Sequence, residues 1–349
     1  MGIHSSVCRC QYICKWEVAR KKDLGLEVGL FQNLFSFSVD LFDEQRSKML
    51  LTPLNTTFLI GNTFKDLNLG RMKKHGIEIE AEYNKTTAGK INYWIKGNFG
   101  FNENRVIFKD DPFLTPDYLK AAGKPIGGML SGITRTGTGY FTTIDDIHIN
   151  PASKLIEKVY VGDYKQLDYN SDGTINNTDN HPVNGSYYPP IVYSFSSGVS
   201  YKGFSFNFMF QGNAGKYTNL GDNTLIEFYR GSYRVHTANL DYWRPDNQDA
   251  AYGNIHYSTA GSDEPGNVVG INWRNSSYTR LKEVYAGYTF VSSFLKRTTG
   301  ISSVLIYTNG TNLLTFTKLL KEYDPEITSI DLGAYPQISR FNLGVKVAF

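Results

Sequence analysis

KINYWIKGNFGFN, residues 90–102, decides the fold. Ile91, Tyr93, Ile95, Phe99 and Phe101 stand at alternate positions against Asn92, Lys96 and Asn98. Successive side chains of a strand point to opposite faces, so this period of two gives one greasy face and one wet face. The pattern recurs along the chain. Leu24, Leu26, Val28 and Leu30 alternate with Gly25, Glu27 and Gly29, and Phe35, Phe37, Val39 and Leu41 with Ser36, Ser38 and Asp40. Ile77, Ile79, Ala81 and Tyr83 oppose Glu78, Glu80 and Glu82, and Phe204, Phe206, Phe208 and Phe210 oppose Ser205, Asn207 and Gln211. Phe341, Leu343, Val345, Val347 and Phe349 oppose Asn342 and Lys346 at the end. Weaker runs at 191–201, 277–289 and 302–312 bring the expected total to about nine strands. In TRLKEVYAGY the alternation breaks where Arg280, Lys282 and Glu283 crowd together, as charges facing a wet lumen would.

The connections choose the architecture. Gln32-Asn33, KTTAGK (85–90) and Lys202-Gly203 are tight and VSSFLKRTTG is moderate, whereas 44–74, 103–190, 213–276 and 313–340 are long. Short and long links alternate, so all the long ones lie at one end. An outer-membrane barrel has this asymmetry, with short periplasmic turns and long extracellular loops. A sheet with one face on a protein core would alternate identically. The expectation is therefore an all-β chain of antiparallel strands in a transmembrane β-barrel. The other reading is a soluble, secreted, Ca²⁺-stabilised β protein that binds carbohydrate.

Bulk composition agrees with strands. Aromatics make up 14% of 349 residues and Gly is abundant at 33, a mix that favours strands and turns over helices. A net charge of +3, with no basic cluster interleaved with aromatics, gives no reason to expect nucleic acid as a partner. No run approaches 18 apolar residues, so no transmembrane helix is expected. Cys8, Cys10 and Cys14 all lie in the opening segment, outside the patterned part, which argues against a disulfide framework. No signal peptide is visible at the start, and although Met1, Gly2 and Ser6 match a myristoylation pattern, residues 1–14 are left unassigned as an atypical start. Six scattered histidines, with no HExxH, GxSxG or P-loop, offer no catalytic constellation; Asp163 and Asp168 are no more a pair than any two loop acids.

DYNSDGTINNTD, residues 168–179, has the spacing of a calcium loop. Asp168, Asn170, Asp172, Asn176 and Asp179 occupy positions 1, 3, 5, 9 and 12, Thr174 can offer its carbonyl at position 7, and Gly173 sits at the sharp turn of position 6. Hard oxygen donors suit Ca²⁺, and Asp179, shorter than the usual Glu, weakens the twelfth position. With no helices on either side, the expected role is structural: a cross-link within the longest loop. An Asn/Asp/Gly-rich turn without an ion has the same composition. Tyr187, Tyr188, Trp243 and Tyr252 lie in long loops and could stack on sugar rings, pack the loops, or sit in an interfacial girdle.

Taken together, KWEVARKKDLGLEVGLFQN, GDYKQLDYNSDGTINNTD, GFSFNFMFQGNAG, YWRPDN, SSYTRLKEVYAGYTF, GTNLLTFTK, YDPE and FNLGVKVAF, in this order, resemble the C-terminal part of SusC/RagA-type TonB-dependent transporters of Bacteroidota outer membranes. The likeness runs over residues 15–349. It implies the last nine strands of a 22-stranded barrel, and a non-enzymatic importer of glycans or peptides lidded by a SusD-like surface lipoprotein. Energy would come from the TonB–ExbB–ExbD complex through a plug and TonB box that have no counterpart here. A terminal Phe349 on an outward-facing last strand resembles the signal read by the outer-membrane insertion machinery. An open sheet leaves unpaired backbone groups in lipid, each costing several kcal/mol. The expectation is thus a fragment, or one part of a longer chain, that does not transport alone.

Overall fold

The computed structural model describes residues 15–55, 65–126, 133–134, 137–154, 158–182, 185–220, 237–255, 273–321, 323–326 and 337–349. The opening segment 1–14, with its three cysteines, lies outside them, as do His4, His236 and His256.

Nine strands form one antiparallel sheet in simple sequence order. They are β1 (Val18–Leu30), β2 (Phe35–Leu51), β3 (Leu67–Thr86), β4 (Asn92–Phe108), β5 (Ile191–Tyr201), β6 (Phe204–Ala214), β7 (Tyr278–Phe290), β8 (Ser303–Thr317) and β9 (Arg340–Ala348). Among the described residues two short α-helices accompany them, α1 (Ile144–Ile149) in the longest loop and α2 (Ser293–Thr299) in the moderate connection.

The tight connections leave few residues to bend the chain. Between β5 and β6 only Lys202 and Gly203 remain, both at positive φ (46° and 86°), as a hairpin matching the strand twist requires. Gly203 is needed twice over, since an added Cβ would also meet the Thr289 carbonyl oxygen at 2.5 Å.

Several strands run further than the alternation suggests. The links expected at 44–74 and 313–340 shrink to 52–66 and 318–339, because β2 continues to Leu51, β3 begins at Leu67 and β8 reaches Thr317. In the same way β4 extends to Phe108, which shortens the longest loop. The reason is physical: above the hydrocarbon the ladder continues, but neither face has to be apolar, so the period of two fades while the backbone pairing does not.

The register carries the greasy face across the whole sheet. Leu24, Leu41, Ile77 and Phe101 are paired in sequence across β1–β4, and Phe195, Phe210, Leu281 and Leu314 across β5–β8. Nothing among the described residues covers it: Leu24, Phe341 and Leu343 are 69%, 77% and 81% exposed. The soluble alternative required these rows to be hidden against one another, and they are not. The buried apolar side chains lie instead in the loops (Phe141, Ile175, Leu220, Trp243, Ala250, Tyr252 and Leu319), with Tyr278 at the first position of β7.

The broken alternation around Lys282 has a structural cause. A bulge there sets Met209 opposite Glu283 but Phe210 opposite Leu281, so Lys282 is an extra residue. One inserted residue shifts the pleat and lets Arg280, Lys282 and Glu283 all serve the inner face.

Candidate functional site

The wet face of the sheet curves around a cavity of about 540 Å³. Ser38, Asp40, Glu80, Asn98, Ser194 and Gln211 are among its lining side chains. Each comes from the polar half of an alternating strand, so the pattern that makes the outer face apolar also builds this interior. Lys96 donates to Glu80 at 2.6 Å across one pair of strands, and Asn98 donates to the Ser194 hydroxyl at 3.1 Å across another.

Over this interior the four long loops are tied to one another by polar contacts. Asn55 of the first loop donates to Asp110 of the second at 2.8 Å, and the Leu54 and Asn55 backbone N–H groups donate to the same carboxylate. These donors hold the Asp110 carboxyl below the usual aspartate range, the Asn55 side chain most of all. The second and third loops meet where the Tyr140 hydroxyl donates to the Ala250 carbonyl at 2.7 Å and the Gly253 N–H donates to the Tyr164 hydroxyl at 2.7 Å. Gly162, at φ +95°, lets the chain pass against the Trp243 ring, which a Cβ would strike at 2.4 Å.

The fourth loop is locked by buried charge. Arg280 pairs with Asp324 at 2.8 Å and Glu326 at 2.9 Å, and Lys282 reaches Glu326 at 3.0 Å. From the third loop, buried Lys216 donates to the Pro325 carbonyl at 2.6 Å. Burial lowers the Lys216 pKa, opposed by nearby Asp324 and Glu326. Sequence reasoning placed Arg280 and Lys282 in the lumen but missed this latch. The acids of YDPE are a matching charge signal, yet only the topology shows that they meet residues about forty positions earlier.

The suspected calcium loop is compact. Asp168 accepts from the Asp172 N–H at 3.1 Å and the Gly173 N–H at 2.8 Å, bending the chain through Ser171 (φ 58°) and Gly173 (φ 82°). Asn170 and Asn176 each point their amide N–H₂ at Asp172 Oδ2, at 3.0 and 3.4 Å, and Asn176 also donates to the Thr174 carbonyl at 3.3 Å. Asn170, Asp172, Thr174 and Asn176 are therefore gathered at one place, with Asp168 holding the turn beside them. Their carboxamide oxygens are engaged elsewhere in the loop, Asn170 Oδ1 accepting from the Asp172 N–H at 3.0 Å and Asn176 Oδ1 from the Thr178 N–H at 2.7 Å. The Asn170 side chain first, then the Thr174 N–H, keeps the Asp172 carboxyl below its ordinary range, and so ionised at neutral pH.

Asp179 does something else. Fully buried, it accepts from the Tyr169 N–H at 3.0 Å and the Asn176 N–H at 2.7 Å, closing a capping box with Asn176. Asp168, like Asp179, has both carboxylate oxygens on the loop's own backbone N–H groups, and the other expected donors gather around Asp172. Among the described residues no group of three or more His, Cys, Asp or Glu side chains is disposed to hold a metal, so any ion here would lean on amides and a carbonyl.

The four loop aromatics divide. Trp243 and Tyr252 are buried, 5% and 7% exposed, with the Trp243 backbone N–H donating to the Tyr252 carbonyl and Tyr252 packed against Leu220 and Leu319. They hold the loops together and are not presented to a ligand. Tyr187 and Tyr188 meet edge-to-face at 5.6 Å, and Tyr188 is 59% exposed. Tyr188 also lines a second cavity of about 450 Å³ with Phe101, Pro189 and Tyr217. The terminal row Phe341, Leu343, Val345 and Val347 faces outward on β9, and Phe349 follows it, 86% exposed.

No family model matches the chain. TonB-dependent receptor P3 of Formosa agariphila is 26% identical over 96% of this chain and 34% of its own length. TonB-dependent receptor P26 of the same organism is 25% identical over 96% of this chain and 35% of its own. The chain thus spans about a third of the length of the curated relatives it matches. Among solved structures, the RagAB peptide importer in its open-open state superposes with a TM-score of 0.71 at 20% identity, over 96% of this chain and 35% of that one. The closed-closed state gives 0.69 at 21% identity, over 96% and 36%. These relatives are receptors and transporters, not enzymes. An uncovered apolar sheet face, a polar interior and a capped loop end go with that likeness: the chain has the fold of part of an outer-membrane transporter barrel, and is similar over nearly all its length to TonB-dependent receptors.

Proposed function

We propose that this chain forms part of a SusC/RagA-type, TonB-dependent importer that takes up glycans or peptides across the outer membrane. A SusD-like surface lipoprotein would lid it, and the TonB–ExbB–ExbD complex would energise it through the rest of the transporter. The observation that carries this reading is the tied set of loops above a polar interior within an apolar-faced sheet. A loop set cross-linked by Asn55–Asp110, Tyr140–Ala250 and Arg280–Asp324 offers a lid a firm surface to close against. Exposed Tyr188 is the aromatic best placed to meet cargo or lid there. The test is to fractionate the bacterium that makes the chain and capture it from the outer membrane after mild cross-linking. A surface lipoprotein recovered in equal amount supports the reading; a chain found in the soluble fraction, or captured alone, defeats it.

Within that importer, residues 168–179 serve as a Ca²⁺ cross-link. Asp168, Asn170, Asp172, Thr174 and Asn176 would hold the ion, which would pin the loop and do no chemistry, while Asp179 secures the frame from inside. Calorimetric titration of Ca²⁺ into a loop-bearing protein tests it. Heat lost in a D168A/D172A variant supports the cross-link, whereas equal or absent heat in both ends it.

A further inference from the structure

Four neighbouring strands change chemistry at the same rung of the outward face. Rising from the tight turns, β1 presents Leu30, Val28, Leu26 and Leu24, then Lys22 and Arg20; β2 presents Phe35, Phe37, Val39 and Leu41, then Asp43 and Gln45. β3 presents Tyr83, Ala81, Ile79 and Ile77, then His75, Lys73 and Arg71, and β4 presents Ile95, Phe99 and Phe101, then Glu103 and Arg105. Leu24, Leu41, Ile77 and Phe101 end the unbroken apolar rows on all four. A charged side chain on the lipid face costs about 2–4 kcal/mol at mid-bilayer and little at the interface, so this change marks the extracellular edge of the hydrocarbon.

The two rungs above it differ. Lys22, Asp43, His75 and Glu103 mix the signs, with Glu103 lying 3.9 Å from His75. Arg20, Gln45, Lys73 and Arg105 carry three cations and no acid, and Arg71 follows, lying over the Phe108 ring at 5.3 Å. Arg105 also donates to Glu103 at 2.8 Å. Five outward cations (Arg20, Lys22, Arg71, Lys73 and Arg105) thus meet two outward acids, Asp43 and Glu103. At the same height the inner face is nearer balance: Lys21, Arg46 and Lys74 meet Glu44 and Glu17, with Lys21 3.9 Å from Glu44 and Arg46 paired with both acids. The larger excess of positive charge is on the side that meets lipid. It is also confined to this part of the sheet, since β8 keeps Leu314 and Phe316 outward near its upper end.

We infer that Arg20, Arg71, Lys73 and Arg105 form a docking surface for the phosphate-bearing headgroup of an outer-leaflet lipid. Guanidinium forks match phosphate oxygens in a bidentate way, and cations at a membrane surface gain from anionic headgroups there. The apolar rungs directly below would hold the acyl chains, so one lipid would satisfy both halves of the surface. This inference rests on the barrel reading given above.

The test uses the protein extracted from its own outer membrane in mild detergent, with retained phosphorylated lipid counted by native mass spectrometry. A K73S/R105S variant is expected to lose lipid, at about fivefold in affinity per cation removed. K73R/R105K, which keeps the charge, and K21S, on the inner face at the same height, are expected to keep it. Millimolar inorganic phosphate should not displace the lipid. Equal retention in K73S/R105S, equal loss in K21S, or displacement by inorganic phosphate alone would each overturn the docking surface while leaving the barrel intact. A protein that washes from membranes in buffer would overturn both.

Discussion

The sheet and its loops are held by opposite means. In the sheet, apolar side chains point outward and uncovered, and backbone ladders, with polar side-chain links on the inner face, join strand to strand. In the loops, apolar side chains turn inward, as with Leu220, Tyr252 and Leu319, and carboxylates, amides and buried ion pairs complete the packing. The contrast follows from two solvents. Hydrocarbon rewards exposed Phe and Leu but forbids unpaired backbone groups, so the strands need every ladder bond and no core. The loops stand in water, where irregular backbone is tolerated but apolar groups must be buried. A single chain is thus inside-out in one half and ordinary in the other.

Four experiments would break or sharpen that contrast. The largest effect is expected from Arg280→Ala. Removing one member of a buried ion pair costs about 3–5 kcal/mol because the abandoned charges stay buried. Asp324 would lose its cation and Glu326 would keep only Lys282, so limited proteolysis should cut the 318–326 region while the strands remain protected. Next is Phe208→Lys in the middle of the outward Phe cluster, where Phe195, Phe206 and Phe210 lie 5.9 to 6.1 Å away. A lipid-facing cation at mid-bilayer costs about 2–4 kcal/mol, and the denaturant midpoint of the assembled barrel should fall. The same change at exposed Tyr188 should leave that midpoint unmoved.

A smaller loss, about 1–2 kcal/mol, is expected for Gly203→Ala, whose side chain would be strained at φ 86° and would press on the Thr289 carbonyl. The smallest effect is in pH. Asp110 and Asp146 have carboxyls held below their ordinary range, by the Asn55 side chain and by Lys165 respectively. Since the folded values lie below the unfolded ones, the ties are complete above the ordinary aspartate range near about pH 4 and fail as pH falls through the lowered values. Hydrogen exchange at 52–55 and 142–146 should therefore rise in acid before exchange in the strands does.

Legibility followed the same division. The alternation in residues 90–102 and its repeats announced nine strands and a greasy face, because a period of two is imposed on every residue by a solvent boundary. Where that boundary ends, the signal ends. Residues 44–51 and 67–74 are strand, yet read as loop, because above the hydrocarbon both faces are wet. In residues 168–179 the tight turn that brings Asn170, Asp172, Thr174 and Asn176 together was readable, since it is made by neighbours in sequence. That the Asp179 oxygens accept from the Tyr169 and Asn176 N–H groups was not readable, because only burial reveals it. Trp243 and Tyr252 were ambiguous for the same reason: an aromatic in a loop does not say whether it faces cargo or a neighbouring loop.

The sequence by itself determined which side chains meet hydrocarbon, which meet water, and at which end the long connections gather, all of it information of short range. Only the tertiary structure decided that Arg280 closes on Asp324, that Lys216 holds Pro325, and that three strands bring their cations to one side. Those pairings join residues far apart in the chain, and their energy depends on removal from water and on distance, neither of which a linear pattern contains.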